Sequence, residues 1–234
     1  MSPFIVLRSI AARTDTVSPE RRYRDGARAI APISAMSLVF GISFGVLAEA
    51  SGMGVLAPIV MSATTFAGSA QFAAASVLST GGGALGAVGA AVLLNARYAP
   101  ISLTVAPSVG GSLFSRVLQS QLIVDESWAV SQVGGGRVDR KLLVGAGVVL
   151  YVFWVGGTAI GGLGAGLVGD PARFGLDAAF PALFLALLVP QLRTRRALAA
   201  ALAGAAIALA LVPVSSPGVP IIAASGACLL GLRR

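Results

Sequence analysis

The length and composition of the chain exclude most classes of soluble protein. The chain has 234 residues, of which 56% are hydrophobic and only 11% are charged, and its mean hydropathy is +0.88. Soluble domains carry about 25% charged residues, so this chain has less than half of what a water-exposed surface needs. The composition therefore indicates an integral membrane protein whose spanning segments are helices.

The net charge of +8 does not indicate a nucleic-acid-binding protein. The basic residues form no stripe interleaved with aromatic side chains, which is the footprint that nucleic acid recognition requires. Arginines instead precede the first apolar run and flank later ones, as in cytoplasmic loops of membrane proteins. These arginines are Arg8, Arg13, Arg21, Arg22, Arg24, Arg28, Arg193, Arg195, Arg196, Arg233 and Arg234.

Histidine is absent from the chain, and Cys228 is its only cysteine. Imidazole is therefore excluded as a proton relay, a catalytic base or a metal ligand, and an intrachain disulfide is excluded as well. No Walker A or zinc-protease motif is present. The sequence thus predicts no catalytic residue, no metal site and no cofactor.

The N-terminal third divides into an arm and a first membrane helix. Residues 1–28 are rich in arginine and predict a cytoplasmic arm, and residues 29–234 predict a transmembrane domain. The apolar run Ala29–Ala48 exceeds the ~7–15 residues of a signal-peptide core, which favours a retained helix over a cleaved signal. Within it, Gly41-Ile-Ser-Phe-Gly45 has the spacing of a hydrolase nucleophile elbow, but a chain without histidine lacks the base. We interpret it as a close-packing helix face.

A stretch of 47 residues, Ala50–Ala96, contains no charged residue. It exceeds the ~20 residues needed to cross a bilayer once. Its first apolar segment, Gly54–Leu78, has a polar centre, Ser62-Ala-Thr-Thr-Phe-Ala-Gly-Ser-Ala-Gln-Phe72. A flexible break, Ser79-Thr-Gly-Gly-Gly83, separates it from a further segment that begins at Ala84. Uncharged polar groups within a membrane-length segment indicate a transport site.

The remaining apolar runs complete an all-α, polytopic bundle. A polar connection over residues 110–141 precedes the glycine-rich segment Leu142–Gly169, the short segment Ala178–Leu192 and the segment Ala197–Leu232, which is long enough for two short spans. By length, the chain has about seven membrane segments.

The positions of the basic loops bear on the topology. If every segment crossed the membrane, the Arg193–Arg196 loop would lie outside, against the positive-inside rule. If Gly54–Leu78 instead enters and returns on one side, all the basic loops face the cytoplasm. We favour this re-entrant or discontinuous helix, which suits a segment that lines a cavity.

Several polar residues are candidates for the transport path. Arg97 interrupts an apolar run, and it either snorkels to the interface or faces a cavity, where a substrate carboxylate or Glu49 would pair with it. As a hypothesis, the substrate path includes Thr65, Ser69, Gln71, Asn95, Arg97 and Tyr98, although such residues commonly only bond between helices. Without histidine, proton coupling would require Glu49, Asp125 or Glu126, each of which is alternatively a loop residue.

Four motifs follow one another along the chain: Phe44-Gly-Val-Leu-Ala48, Phe66-Ala-Gly-Ser-Ala-Gln-Phe72, Leu93-Leu-Asn-Ala-Arg-Tyr98 and Asp125-Glu-Ser-Trp128. In this order and spacing they resemble the AzlC family of branched-chain amino acid permeases, and the resemblance covers about residues 28–190. The family often has histidine at the position of Tyr98, so a coupling role for that histidine does not transfer to this chain.

The resemblance implies the large subunit of a two-component exporter in the bacterial cytoplasmic membrane. The implied substrates are branched-chain and similar hydrophobic amino acids, moved outward with the proton motive force. The implied partner is AzlD, a small membrane protein. A passive channel for a small solute, or an assembly subunit whose partner holds the binding site, are the alternatives.

Overall fold

The computed structural model describes residues 21–134, 137–168, 185, 188–189, 192, 194–215 and 219–228. Apart from one isolated bridge between Gln132 and Val138, the regular structure of this part is helical, which confirms the predicted all-α class. The helices are α1 (Tyr23–Ala48), α2 (Leu56–Thr65), α3 (Gly68–Ser79), α4 (Gly83–Asn95), α5 (Tyr98–Val105), α6 (Leu113–Ser120), α7 (Asp125–Ser131), α8 (Arg140–Val168), α9 (Arg195–Leu211) and α10 (Val219–Ser225).

The predicted N-terminal arm overlaps the first helix. Residues 23–28 form the first turns of α1, whose N-terminus is capped by a hydrogen bond from the backbone N–H of Arg22 to the Asp25 carboxylate at 2.8 Å. Residues 1–20 lie outside the described part. The helical structure therefore extends several residues further towards the N-terminus than the apolar run alone indicates.

Two helical segments are long and apolar enough to cross a membrane by themselves, Tyr23–Met53 and Arg140–Gly166. Helices α4 and α5 together would make a third span, bent by 46° at their junction. The described residues thus contain two or three candidate spans. The total of about seven membrane segments stays a prediction. The predicted segment Ala178–Leu192 falls almost entirely outside the described residues.

Helices α1 and α8 form the central pair of the bundle. A Cβ atom on Gly41 would lie 2.6 Å from the Trp154 carbonyl oxygen, and one on Gly157 would lie 2.5 Å from the Leu38 carbonyl oxygen. One turn later, Gly45 lies similarly close to the backbone of α8, and Gly161 lies similarly close to the backbone of α1. These contacts confirm that Gly41–Gly45 is a packing face, because only residues without side chains allow two helix backbones to approach so closely.

The order of these contacts shows that α1 and α8 run parallel. Tyr23 contacts Gly145 near the start of both helices, and Gly45 contacts Gly161 near the end of both. Their first turns therefore lie at the same end of the bundle, which we call the basic end because it carries Arg22, Arg24, Arg140 and Lys141. The opposite end is the far end.

Helix α2 returns from the far end only half-way. Val55, just before α2, lies beside Gly162, whereas Ala63 near its end accepts a hydrogen bond from the Tyr151 hydroxyl at 2.8 Å. Because Gly162 lies nearer than Tyr151 to the far end of α8, α2 runs antiparallel to α8. It ends near the middle of the bundle.

Helix α3 leads back to the far end. It contacts α4 and the π-helical turn Glu49–Met53 that follows α1. After the short link to Gly83, α4 and α5 run to the basic end, where the Ser108 hydroxyl donates to the Val138 carbonyl at 2.8 Å. Helices α2 and α3 therefore form a hairpin whose ends both lie at the far end, the geometry that the re-entrant hypothesis expects. Its break, and that between α4 and α5, lie at mid-depth.

The glycine contacts predict a position-specific response to alanine. Gly157→Ala places a methyl group against the backbone of α1 and should lower the free energy of unfolding by about 1–3 kcal/mol. Gly156→Ala is the matched control, because a Cβ atom there would meet no atom within 4 Å. Thermal unfolding in detergent measures the difference, and equal stabilities of the two variants would contradict the close contact.

Candidate functional site

The break between α2 and α3 contains a strained residue. Phe66 has φ +43° and ψ 51°, a left-handed conformation that a bulky residue rarely adopts. Such a conformation costs about 1–3 kcal/mol and persists only where surrounding contacts impose it. The Phe66 side chain is buried, and its ring packs edge-to-face on Tyr151 with centroids 5.2 Å apart. The break is therefore a fixed feature of the fold.

Gln71 lies at the centre of the hydrogen bonds that hold this break. Its Oε1 accepts from the Trp154 indole N–H at 3.0 Å and from the Ala67 backbone N–H at 3.2 Å, and its amide donates to Ser62 Oγ at 2.7 Å. Ser62 Oγ lies 2.9 Å from Thr158 Oγ1, which donates to the Trp154 carbonyl. These bonds, which we call the Gln71 network, join α2, α3 and α8.

The carbonyl groups at the end of α2 have partners from other elements. The Ala63 carbonyl accepts from the Tyr151 hydroxyl, and the Thr64 carbonyl accepts from the Gln121 side-chain amide at 2.8 Å. A helix end at membrane depth needs such partners because water is absent there. The C-terminal side of the break is thus bonded within the protein.

A cavity of about 190 Å³ lies between the two helix breaks. Its walls are largely apolar and come from α1, the α2–α3 break and α8: Ile33, Met36, Phe40, Phe66, Leu150 and Trp154. Its polar side includes Gly68 and Ser69 at the start of α3 and a charged group at the α4–α5 and α7 junctions, formed by Arg97, Tyr98, Asp125 and Glu126.

Arg97 faces the cavity and is paired within the protein. Its Nη2 lies 3.2 Å from Asp125 Oδ2 and donates to the Tyr98 hydroxyl at 3.3 Å, and its guanidinium carbon lies 5.1 Å from the centre of the Tyr98 ring. The two charged side chains keep about a third of their surface exposed, 33% and 38%, which weakens their attraction. Of the interpretations offered for Arg97, the structure favours the cavity, with Asp125 and not Glu49 as the resident partner.

The environment of Glu126 changes the acidity of its carboxyl. Its side chain is exposed to the cavity, but neighbouring protein atoms reduce its contact with water. The loss of surrounding water raises the pKa of the Glu126 carboxyl, and the charge of Asp125 raises it further, while a backbone hydrogen bond and Arg97 act in the opposite direction. Glu126 therefore keeps its proton to a higher pH than a free glutamic acid does. It lies in α7, outside the candidate spans.

The structure places other predicted residues away from the cavity lining. Gln71 is fully buried behind it in the Gln71 network. Asn95 ends α4 without lining the cavity. Thr65 lies on a separate groove at the outer face of α2, and Glu49 begins the π-helical turn at the far end. Three residues predicted for the substrate path line the cavity: Ser69, Arg97 and Tyr98. Two of the acids predicted for proton coupling, Asp125 and Glu126, line it as well.

Several residues that the site depends on have no role that the sequence alone predicts. Trp154 contributes to the cavity wall, to the Gln71 network and to an aromatic cluster with Phe44 and Phe72, with ring centroids 6.2 Å and 6.3 Å away. A tryptophan inside an uncharged span has an N–H group that needs an acceptor, and this requirement is the signal that points to it. Thr158 has no comparable signal, and Ser62 is indicated only as part of the polar centre of Gly54–Leu78.

The profile of the family described as AzlC protein matches residues 32–168, which is more than half of the chain. The chain belongs to the AzlC family. The resemblance inferred from the four motifs is thereby confirmed, and the matched region contains both helix breaks and all the cavity-lining residues named above.

Curated relatives extend the similarity beyond this region. An uncharacterized membrane protein of Archaeoglobus fulgidus is 31% identical over 92% of this chain and 97% of its own length. The branched-chain amino acid transport protein AzlC of Bacillus subtilis is 28% identical over 76% of this chain and 71% of its own length. An uncharacterized membrane protein of Helicobacter pylori is 23% identical over 66% and 68%. No solved structure matches the chain significantly.

The Gln71 network predicts a large effect of an apolar substitution at its centre. Gln71→Leu leaves the Trp154 and Ala67 N–H groups without their acceptor, at about 1–3 kcal/mol each, so thermal stability should fall markedly. Gln132→Leu, at a partly exposed glutamine, should change stability by less than about 0.5 kcal/mol. In a Trp128→Phe background, Trp154 is the remaining tryptophan, and its fluorescence should shift in the Gln71 variant alone. An unshifted spectrum and wild-type stability would contradict the network.

Proposed function

We propose that this chain is the transport subunit of a secondary exporter that moves branched-chain or similar hydrophobic amino acids out across the bacterial cytoplasmic membrane. The observation that carries this proposal is the cavity between two helix breaks, with an apolar wall on one side and charged and hydrogen-bonding groups on the other. Transporters commonly bind their substrates near the membrane midplane, between helices that are interrupted there.

The cavity suits a small amphipathic solute. Its volume of about 190 Å³ is below the ~300–1,000 Å³ typical of pockets for drug-sized ligands. The wall formed by Phe40, Leu150 and Trp154 matches an aliphatic side chain, and the opposite side offers both signs of charge and several hydrogen-bonding groups. An amino acid with an apolar side chain combines these features in one molecule.

The family supports the same class of substrate. One relative carries the name branched-chain amino acid transport protein, and it aligns with 76% of this chain. On that basis we extend amino acid transport to this protein. We also propose an AzlD-like small membrane subunit as its partner.

The Ser37→Phe variant tests whether substrate passes through the cavity. Ser37 lines the cavity, so a phenylalanine there should fill much of its 190 Å³ and reduce leucine efflux from preloaded cells at least tenfold. Ala35→Phe is the matched control, because Ala35 is exposed on the same helix and does not line the cavity. Both variants need membrane levels equal to wild type. If the wild-type chain, expressed with an AzlD-like partner, exports no branched-chain amino acid, the proposed function is wrong. If leucine efflux is unchanged in Ser37→Phe, the substrate does not pass through this cavity.

We propose that export is coupled to the proton motive force through the carboxylates. We assign the coupling to Glu126, because it lines the cavity and the loss of surrounding water raises the pKa of its carboxyl. Glu126→Gln should abolish export driven by a proton gradient in reconstituted vesicles and should leave exchange of labelled for unlabelled leucine intact. Gradient-driven export by this variant would exclude Glu126 as the coupling group.

A further inference from the structure

We propose that the N-terminus of α3, with the Ser69 hydroxyl, is the subsite that binds the carboxylate of the transported amino acid. This assignment rests on the proposed function and deepens it, since it specifies which group of the substrate is bound at which place. The other candidate for that role is Arg97, which the sequence predicts to pair with a substrate carboxylate if it faces a cavity.

The start of α3 provides backbone donors at the cavity. Helix α3 begins at Gly68 directly after the break and runs for 12 residues. The first N–H groups of a helix have no carbonyl four residues earlier to bond, and the helix dipole adds positive potential there. The residue before α3 is Ala67, whose side chain has no atom that could accept these bonds, and Gly68 and Ser69 line the cavity. This arrangement is a common form of anion site.

A second observation at the same place concerns the Ser69 hydroxyl. Ser69 is only 4% exposed and lines the cavity, and within the described part of the chain its Oγ has no hydrogen-bond partner. Buried hydroxyl groups are nearly always bonded. Other buried serines of the bundle have hydrogen-bond partners. Ser34 donates to the Ala31 carbonyl at 2.7 Å, and Ser43 donates to the Val39 carbonyl at 3.0 Å. The Ser69 hydroxyl therefore lacks a partner, and a ligand in the adjoining cavity could supply one.

The surroundings of Arg97 make it the weaker candidate for direct binding. Asp125 already lies 3.2 Å from its Nη2, and the Tyr98 hydroxyl accepts from the same nitrogen. A substrate carboxylate at Arg97 would share the guanidinium with a resident carboxylate, although Arg97 Nε has no hydrogen-bond partner in the described part of the chain, whereas the start of α3 has no resident anion. Arg97 then contributes positive potential beside the subsite, and the apolar wall receives the side chain of the substrate.

Ligand pairs that differ only in the carboxylate test this assignment. We expect the purified wild-type protein to bind leucine more tightly than leucinamide, in which a neutral amide replaces the carboxylate. Ser69→Ala should weaken leucine binding about tenfold or more, the usual value of a hydrogen bond to a charged group, so that the preference for leucine over leucinamide narrows. A merely structural role for Ser69 would weaken both ligands equally, which would overturn the subsite.

A charge introduced at the subsite gives an independent test that does not depend on loss of folding. Ser69→Asp places a carboxylate at the second position of α3, where it should compete with the carboxylate of leucine. We expect loss of leucine binding and retained binding of leucinamide, which also shows that the variant is folded. Ala84→Asp adds the same charge at the second position of α4, where Ala84 is exposed away from the cavity, and should bind leucine normally. Leucine binding by Ser69→Asp at wild-type affinity would overturn the proposal.

The export function and the carboxylate subsite can be refuted separately. A wild-type protein that exports leucine but binds leucinamide equally well refutes the subsite and leaves the function intact. A wild-type protein that exports no branched-chain amino acid refutes the function. In that case 4-methylpentanoate and 4-methylpentanamide decide the subsite: a preference for the acid that Ser69→Asp removes supports it, and equal binding overturns it.

Discussion

A helix that breaks inside a membrane leaves backbone groups that water does not reach. Each such group costs several kcal/mol unless the protein bonds it, and this constraint governs the region around the cavity. Tyr151 and Gln121 bond the carbonyl groups that end α2, and Gln71 accepts from Ala67 at the break. Gly68 and Ser69 at the start of α3 line the cavity, and the Ser69 hydroxyl has no hydrogen-bond partner in the described part of the chain. The fold thus bonds the α2 side of the break, and we propose that a ligand bonds the α3 side.

The remaining architecture supports this arrangement. The reciprocal glycine contacts of α1 and α8 make a closely packed central pair, on which both the apolar cavity wall and the Gln71 network are built. Trp154 serves both, since its ring faces the cavity and its N–H bonds Gln71. The second break, at the α4–α5 junction, places Arg97 opposite the start of α7, where Asp125 pairs with it. Charged groups at this depth are tolerated because they face a cavity and one another.

Much of this organisation could be predicted from the sequence because it depends on local features. The low charge specifies the membrane class, the Gly41–Gly45 spacing specifies a packing face, and the uncharged polar motif around Phe66 specifies a break. The distribution of arginines favours the re-entrant hairpin, in agreement with the path of α2 and α3. These properties follow from the residue types within one helix or loop.

The roles within the polar motif could not be predicted in the same way. Ser69 and Gln71 lie two residues apart in one motif, yet Ser69 faces the cavity and Gln71 is bonded behind it. That difference depends on where Trp154 and Thr158 stand, and they are more than 80 residues away along the chain. A single sequence likewise gives no sign that Asp125 pairs with Arg97. Long-range partners decide which of several similar residues is structural and which is available to a substrate.

The central claim is that α2 and α3 enter and leave the bundle at the far end, so that the polar motif reaches mid-depth without crossing. The most direct measurement is the labelling of single cysteines at Gly82 and at Lys141 in a Cys228→Ser background, with a membrane-impermeant maleimide applied to intact cells and to inverted vesicles. The account predicts that Gly82→Cys reacts from outside and Lys141→Cys from the cytoplasmic side. Reaction of Gly82→Cys from the cytoplasmic side would show that the hairpin crosses the membrane and would contradict the account.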